Sequence, residues 1–278
     1  MAMIHEIIHL KEQFPFLSAN DCDPTLTVYA QDMDPEIKRK DKLLPAILVC
    51  PGGGYSYVSA REAEPIAMKF LPWGFHVFVL TYSVAPIHFP TQIREVAAAM
   101  ELIHANAEIW GVDTSRIAIM GFSAGGHLAC HYSNCYDCPE VREVLPDSKP
   151  VNACVLTYPV ITADPRYYHG GSIRNVSGHQ ELTAEDVEYF SLNKRVTPRT
   201  PPTFLWHTAA DQLVPVMNSL LYAQALAENH VSFAMRIYPQ GAHGLATADD
   251  QTCPALQQPA SEANAWIADA AKWLKDTM

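Results

Sequence analysis

Residues 121–125, Gly-Phe-Ser-Ala-Gly, hold a serine between two glycines. The β-branched run RIAIM (116–120) precedes them and a helical pattern opening HLAC (127–130) follows. A sharp strand-to-helix turn strains its central residue and needs small flanking residues, because neighbouring backbone passes close by. Such a turn leaves the Ser123 hydroxyl projecting beyond the sheet edge. It also puts the amide of Ala124 at a helix N-terminus, where the positive end of the dipole meets a developing oxyanion. Nucleophilic attack on a carbonyl carbon is the chemistry this arrangement suits.

Serine is a weak nucleophile at its own pKa, so it needs a base within hydrogen-bond reach, and the base needs an orienting acceptor. Where a serine sits on such an elbow, the chain order is serine, acid, histidine. Asp211 follows the run TFLWH in TAADQLVPV, and His243 follows SFAMRIY in PQGAHGLA. The chain has 12 histidines, so residue type alone selects none of them. Position selects His243, which lies in a Gly-flanked loop after the last strand pattern and before the final helical one. Asp249 and Asp250 are weaker candidates for the acid, because they come after His243 and break the order.

Upstream, the apolar run AILVC ends in Pro51, Gly52, Gly53, Gly54 and Tyr55. Three residues without side chains let backbone amides approach a substrate oxygen. A phosphate-cradling loop would continue into Lys-Ser or Lys-Thr, which is absent. A purely structural glycine turn remains open as an alternative.

Taken together, PGGGY, GFSAGGHLA, the later Asp211 and the histidine of YPQGAHG resemble the α/β-hydrolase superfamily. Within it, they are similar to the small bacterial esterases of the hormone-sensitive-lipase-like and acetyl-xylan-esterase-like groups. The resemblance covers nearly the whole chain from about residue 45, judged by motif order. In the HGGG branch a histidine opens the loop; here Pro51 stands instead, which favours the carbohydrate-esterase branch. The resemblance implies an oxyanion hole from the amides of Gly53, Gly54 and Ala124. It also implies an acyl-enzyme mechanism with no metal or organic cofactor, acting on short acyl esters, with acetylated carbohydrate as the sharpest expectation.

The elements that must position these residues are legible as alternation. From residue 45 onward, short β-branched runs alternate with helical periods, the pattern of a mostly parallel sheet covered by helices on both faces. The expected class is therefore α/β. Strands are predicted at 46–50, 76–81, 116–120, 151–158, 203–207 and 232–238, with antiparallel edge strands at 4–10 and 26–29. Helices are predicted near 61–71, 91–109, 124–134, 216–229 and 261–275. Trp206 falls inside a strand and is expected in the core.

Residues 164–202 break the rhythm between two good strands and read as a cap inserted into a single domain. Tyr167, Tyr168 and His169 of this insertion, with Tyr55 and Tyr57 beside the glycine loop, are the candidates for lining an acyl or sugar pocket. Packing of the insertion onto the core is the alternative use of such aromatics.

The helix after the elbow carries His127, Cys130, His131, Cys135 and Cys138, which raises a zinc reading. It is disfavoured, because a closed site needs thiolates that fold back, whereas this helix is expected to pack beneath the catalytic edge. The seven cysteines, at 22, 50, 130, 135, 138, 154 and 253, lack the dense framework of a secreted scaffold and read as reduced.

A net charge of −11, from 19 Lys plus Arg against 30 Asp plus Glu, repels phosphate backbones and anionic lipid. Nucleic acid and membranes are therefore not expected as partners; a small-molecule ester is. The cationic run Lys38, Arg39, Lys40 and Lys42 is interrupted by Asp41 and reads as a solvated loop. The opening MAMIHEIIHLKEQF lacks the apolar core of a signal peptide, and no apolar run reaches the roughly 20 residues of a spanning helix. The expectation is a soluble cytoplasmic protein, monomer or homodimer. Two rivals share the fold. A peptidase of the prolyl-oligopeptidase type would add a propeller, for which 278 residues leave no room. A non-catalytic ligand-binding module would ordinarily have lost the nucleophile or the base.

Overall fold

The computed structural model describes residues 3–18, 21–37, 42–252 and 262–278. Eight strands form one sheet in the order β1-β2-β4-β3-β5-β6-β7-β8. They are β1 (Ile4–His9), β2 (Thr25–Ala30), β3 (Leu44–Cys50), β4 (His76–Thr81), β5 (Val112–Phe122), β6 (Ala153–Thr157), β7 (Thr203–Thr208) and β8 (Phe233–Tyr238). The pairs β1·β2 and β2·β4 are antiparallel, and every other pair is parallel. All eight predicted strands are present, and the expected mostly parallel α/β sheet is observed. β1 and β8 form the two edges and are the most exposed strands, whereas β3, β6 and β7 are buried throughout. Burial on both faces is what the continuous apolar runs reflect.

Alternation along each strand divides the core into two layers. Leu48, Ile119, Leu156 and Leu205 face one layer, with the helices Thr91–Ala105 and Ser123–Cys135. Val49, Met120, Val155 and Trp206 face the other, with the helices Glu64–Phe70 and Trp266–Thr277. Trp206 is fully buried and stacks on Trp266 with ring centroids 5.2 Å apart, the core position expected of it. Among the described residues no helix is long and apolar enough to cross a membrane.

Between β6 and β7, the helices Gly170–Ser177 and Ala184–Tyr189 occupy the segment that broke the rhythm. Ile173, Val176, Phe190 and Leu192 of this segment join the first core layer. The predicted helix at 91–109 is interrupted: Asn106 separates Thr91–Ala105 from Ala107–Trp110, and its side-chain amide donates to Leu102 O at 2.9 Å. The helix predicted at 61–71 is divided into a 3-10 turn, Ala60–Glu62, and Glu64–Phe70, with Pro65 in the first helical turn. Of the helix predicted at 261–275, residue 261 lies outside the described residues, as do Cys253 and residues 38–41 of the cationic run. Cys50, Cys130, Cys135, Cys138 and Cys154 are free thiols.

Candidate active site

At the carboxyl edge of β5, Ser123 begins the helix Ser123–Cys135 with φ 52°, a left-handed conformation that costs a non-glycine residue of order 1–3 kcal/mol. The elbow glycines exist for want of space. A Cβ on Gly125 would stand 2.1 Å from Cys50 O, and one on Gly121 would stand 2.2 Å from Gly125 O. Register brings the elements together, since Cys50 of β3 lies opposite Gly121 of β5. The glycine loop and the serine therefore leave adjacent strands at the same height.

The loops after β7 and β8 complete the group. His243 Nε2 lies 2.7 Å from Ser123 Oγ, and His243 Nδ1 lies 2.6 Å from Asp211 Oδ2. Asp211 Oδ1 accepts from the amides of Leu213 and Val214, each at 2.9 Å. Behind it, His207 Nε2 stands 3.3 Å from Asp211 Oδ2. Burial alone would push the Asp211 carboxyl up. The hydrogen bonds to His207, His243 and the Val214 amide outweigh it and hold the carboxyl well below the usual carboxylate range. Asp211 is thus a fixed negative charge beside the imidazole. The order of residues in the chain is met in space by a continuous hydrogen-bonded relay. Asp249 instead pairs with Lys69 at 2.8 Å.

In the glycine loop, every carbonyl is anchored. Pro51 O accepts from the Tyr82 hydroxyl, Gly52 O from Ser59 N, Gly53 O from Ser56 N, Gly54 O from Asn175 Nδ2 and Tyr55 O from Ala85 N. The amides of Gly53 and Gly54 meet no protein acceptor among the described residues. Gly53 has φ 128°, and a Cβ there would stand 1.9 Å from Tyr57 O. Gly53, Gly54, Ser123 and His243 line one cleft of about 280 Å³, with Ser56, Tyr57, Ser59, Arg61, Glu62, His169, Leu213 and Gly244.

The tyrosine expectations divide. Tyr57 lines the cleft and is 59% exposed. Tyr55 does not: its φ of 55° turns the side chain inward, where it is fully buried and its hydroxyl donates to His127 Nδ1 at 3.0 Å. Tyr167 and Tyr168 do not line the cleft either. Tyr168 packs on the core, and Arg166 lies over the Tyr167 ring. The neighbouring His169 is the residue of that trio that reaches the cleft.

Sequence reasoning overlooked a buried clamp. Glu62 is buried, accepting from Gly52 N through Oε2 and from the Tyr158 hydroxyl through Oε1, both at 2.7 Å. The Tyr158 hydroxyl accepts from Ala246 N at 2.9 Å, and its ring meets His243 edge to face at 5.1 Å. Arg61 donates to Gly244 O at 2.8 Å. The pair 61–62 thereby ties the glycine loop to the histidine loop. No spacing rule announces it, because its members are distant in the chain.

The zinc alternative meets occupied nitrogens at His127. His127 Nε2 donates to Phe190 O at 3.1 Å, so Nδ1 is left to accept from Tyr55. Burial lowers the His127 pKa to about 4 and raises that of Cys138 to about 12. Among the described residues no group of three or more His, Cys, Asp or Glu could hold a metal ion.

A family model, BD-FAE, matches residues 33–226, most of the chain. The chain belongs to the BD-FAE family. This is an α/β-hydrolase esterase family, in agreement with the resemblance carried by the motifs. Among its relatives, endo-1,4-beta-xylanase B of Butyrivibrio fibrisolvens is 38% identical over 238 residues, 82% of this chain and 35% of that protein. An acetylxylan esterase of Xylanibacter ruminicola is 31% identical over 203 residues, 72% of this chain and 40% of its own length. The chain thus spans well under half of these two relatives. Among solved structures, an acetyl ester-xyloside bifunctional hydrolase from Caldicellulosiruptor lactoaceticus superimposes with a TM-score of 0.84 at 33% identity, covering 99% of this chain and 97% of that one.

Proposed function

We propose that the chain is a serine carboxylesterase acting on short acyl esters, acetyl esters above all, of hydroxylated alcohols such as carbohydrates. The observation that carries the reading is the relay from Ser123 Oγ through His243 to Asp211, at 2.7 and 2.6 Å. In the first step Ser123 Oγ attacks the ester carbonyl while His243 Nε2 takes its proton. The amides of Gly53, Gly54 and Ala124 receive the oxyanion. His243 then gives the proton to the departing alcohol and leaves an acyl-serine. In the second step His243 takes a proton from water, the hydroxide adds to the acyl carbon, and the acid departs as the proton returns to Ser123. Asp211 keeps Nδ1 protonated and offsets the imidazolium charge. These steps call on no metal or organic cofactor.

The small cleft supports a short acyl group, and its Ser56, Ser59, Arg61 and His169 support a polar alcohol. The acetylxylan-directed name of one relative points the same way. Residues 164–202 act in this reading as a cap on a single hydrolase domain, presenting His169 to the cleft.

The test is a nitrophenyl ester series of rising acyl length run beside acetylated xylo-oligosaccharides, with Ser123→Ala as control. Ser123-dependent turnover that is greatest at acetyl supports the proposal. Turnover unchanged in Ser123→Ala overturns the mechanism, and faster cleavage of a proline-linked anilide would move the chain to the peptidases.

A further inference from the structure

His169 caps the N-terminus of the helix Gly170–Ser177. Its Nδ1 accepts from Ser172 N at 3.3 Å and lies 2.7 Å from Ser172 Oγ. A backbone N–H can only donate, so Nδ1 carries the lone pair, and the neutral ring holds its proton on Nε2. Burial lowers the His169 pKa, and the nearby His243 and Arg174 act in the same direction against Asp211. The ring is therefore uncharged near neutral pH. It lines the cleft with Ser123 and His243, its Cε1 4.0 Å from where a Cβ on Gly54 would stand, and Nε2 meets no protein acceptor among the described residues. A fixed N–H donor thus stands beside the reacting centre without a protein partner.

We propose that His169 Nε2–H binds an oxygen of the alcohol half of the ester and so selects hydroxylated alcohols. The inference rests on the ester-hydrolase reading above and follows by assignment of the substrate's acceptors. The carbonyl oxygen is taken by the amides of Gly53, Gly54 and Ala124, and the alkoxy oxygen by the proton on His243. An acetyl methyl accepts no hydrogen bond. What remains for His169 is a hydroxyl or ring oxygen beyond the ester bond. A polar group built to bind such an oxygen discriminates against substrates lacking it, because closing the cleft around them leaves the N–H unpaired.

The experiment holds the acyl group constant and varies the alcohol: acetylated xylo-oligosaccharide, glycerol monoacetate and propyl acetate. In His169→Phe, the ratio of kcat/KM for either hydroxylated ester to that for propyl acetate is expected to fall on the order of tenfold. His169→Gln, whose amide can present an N–H at a similar distance, is expected to recover part of that ratio. If all three esters slow together and the ratio holds, His169 serves the oxyanion or the fold and the proposal is overturned. Should His169→Phe not fold, His169→Gln and the wild-type ring decide. NMR of the histidine ring nitrogens is expected to read the Nε2–H tautomer, and the Nδ1–H tautomer would overturn the proposal. Failure of the hydrolase reading itself appears elsewhere, as turnover that survives Ser123→Ala.

Discussion

The Tyr158 hydroxyl gives its proton to Glu62 Oε1 at 2.7 Å and accepts the Ala246 amide on its other side at 2.9 Å. Through that one oxygen, the loop of Gly52, Gly53 and Gly54 and the loop that carries His243 share a buried link. Tyr158→Phe leaves both the Glu62 carboxyl and the Ala246 amide short of a partner. The expected outcome is a loss of about 1–3 kcal/mol in stability by denaturant unfolding. A fall in kcat with KM little altered should accompany it, because what is disturbed is the relative position of His243 and the amides.

Asp211→Asn keeps the shape of the side chain and removes the charge. The replacement amide can donate to His243 Nδ1, which favours the tautomer with its proton on Nε2, where it cannot act as a base toward Ser123. A decrease in kcat on the order of a thousandfold or more is expected, with the fold intact by circular dichroism.

Gly125→Ala puts a methyl group 2.1 Å from Cys50 O and 2.2 Å from Pro51 O. Both contacts are backbone atoms, one at the end of β3 and one at the start of the glycine loop, so neither can swing aside. The elbow must separate from β3, and destabilisation of about 3 kcal/mol or more is expected together with loss of activity. Thermal unfolding and the yield of folded protein measure it.

Glu95 is buried beneath Ser83, whose amide donates to Oε2 at 2.7 Å and whose hydroxyl donates to Oε1. Burial raises its pKa to about 7 despite these bonds. The folded chain therefore holds a proton that the unfolded chain has released. This contribution to stability is fully present below about pH 4.5, the ordinary value, and is lost as pH rises through about 7. Glu95→Gln cannot ionise. Its unfolding free energy, followed from pH 5 to pH 8, should decline less steeply than that of the parent chain, and parallel declines would refute the assignment.

Much of the fold was readable where one residue's role depends only on its neighbours. The strand run 76–81 coincides with β4, because its centre, Val77, Phe78, Val79 and Leu80, is buried on both faces and therefore apolar without interruption. β5 begins at Val112, four residues before the predicted start, because the polar Asp113, Thr114 and Ser115 hide its exposed first half. Tyr55 and Tyr57 look alike in the sequence, yet one is core and the other rim. The difference is a left-handed φ at Tyr55, which residue type does not announce.

What the sequence by itself determined was the set of candidate reacting groups and the order in which the chain presents them: Ser123 between glycines at a strand-to-helix turn, with Asp211 and His243 after later strands. These are local consequences of sterics and periodicity. Only the tertiary structure decided that His243 closes 2.7 Å from Ser123, that His169 reaches the cleft where Tyr167 and Tyr168 do not, and that Glu62 joins two loops through Tyr158. Those relations cross as many as 120 residues of chain and are set by sheet register and side-chain burial, which no local pattern encodes.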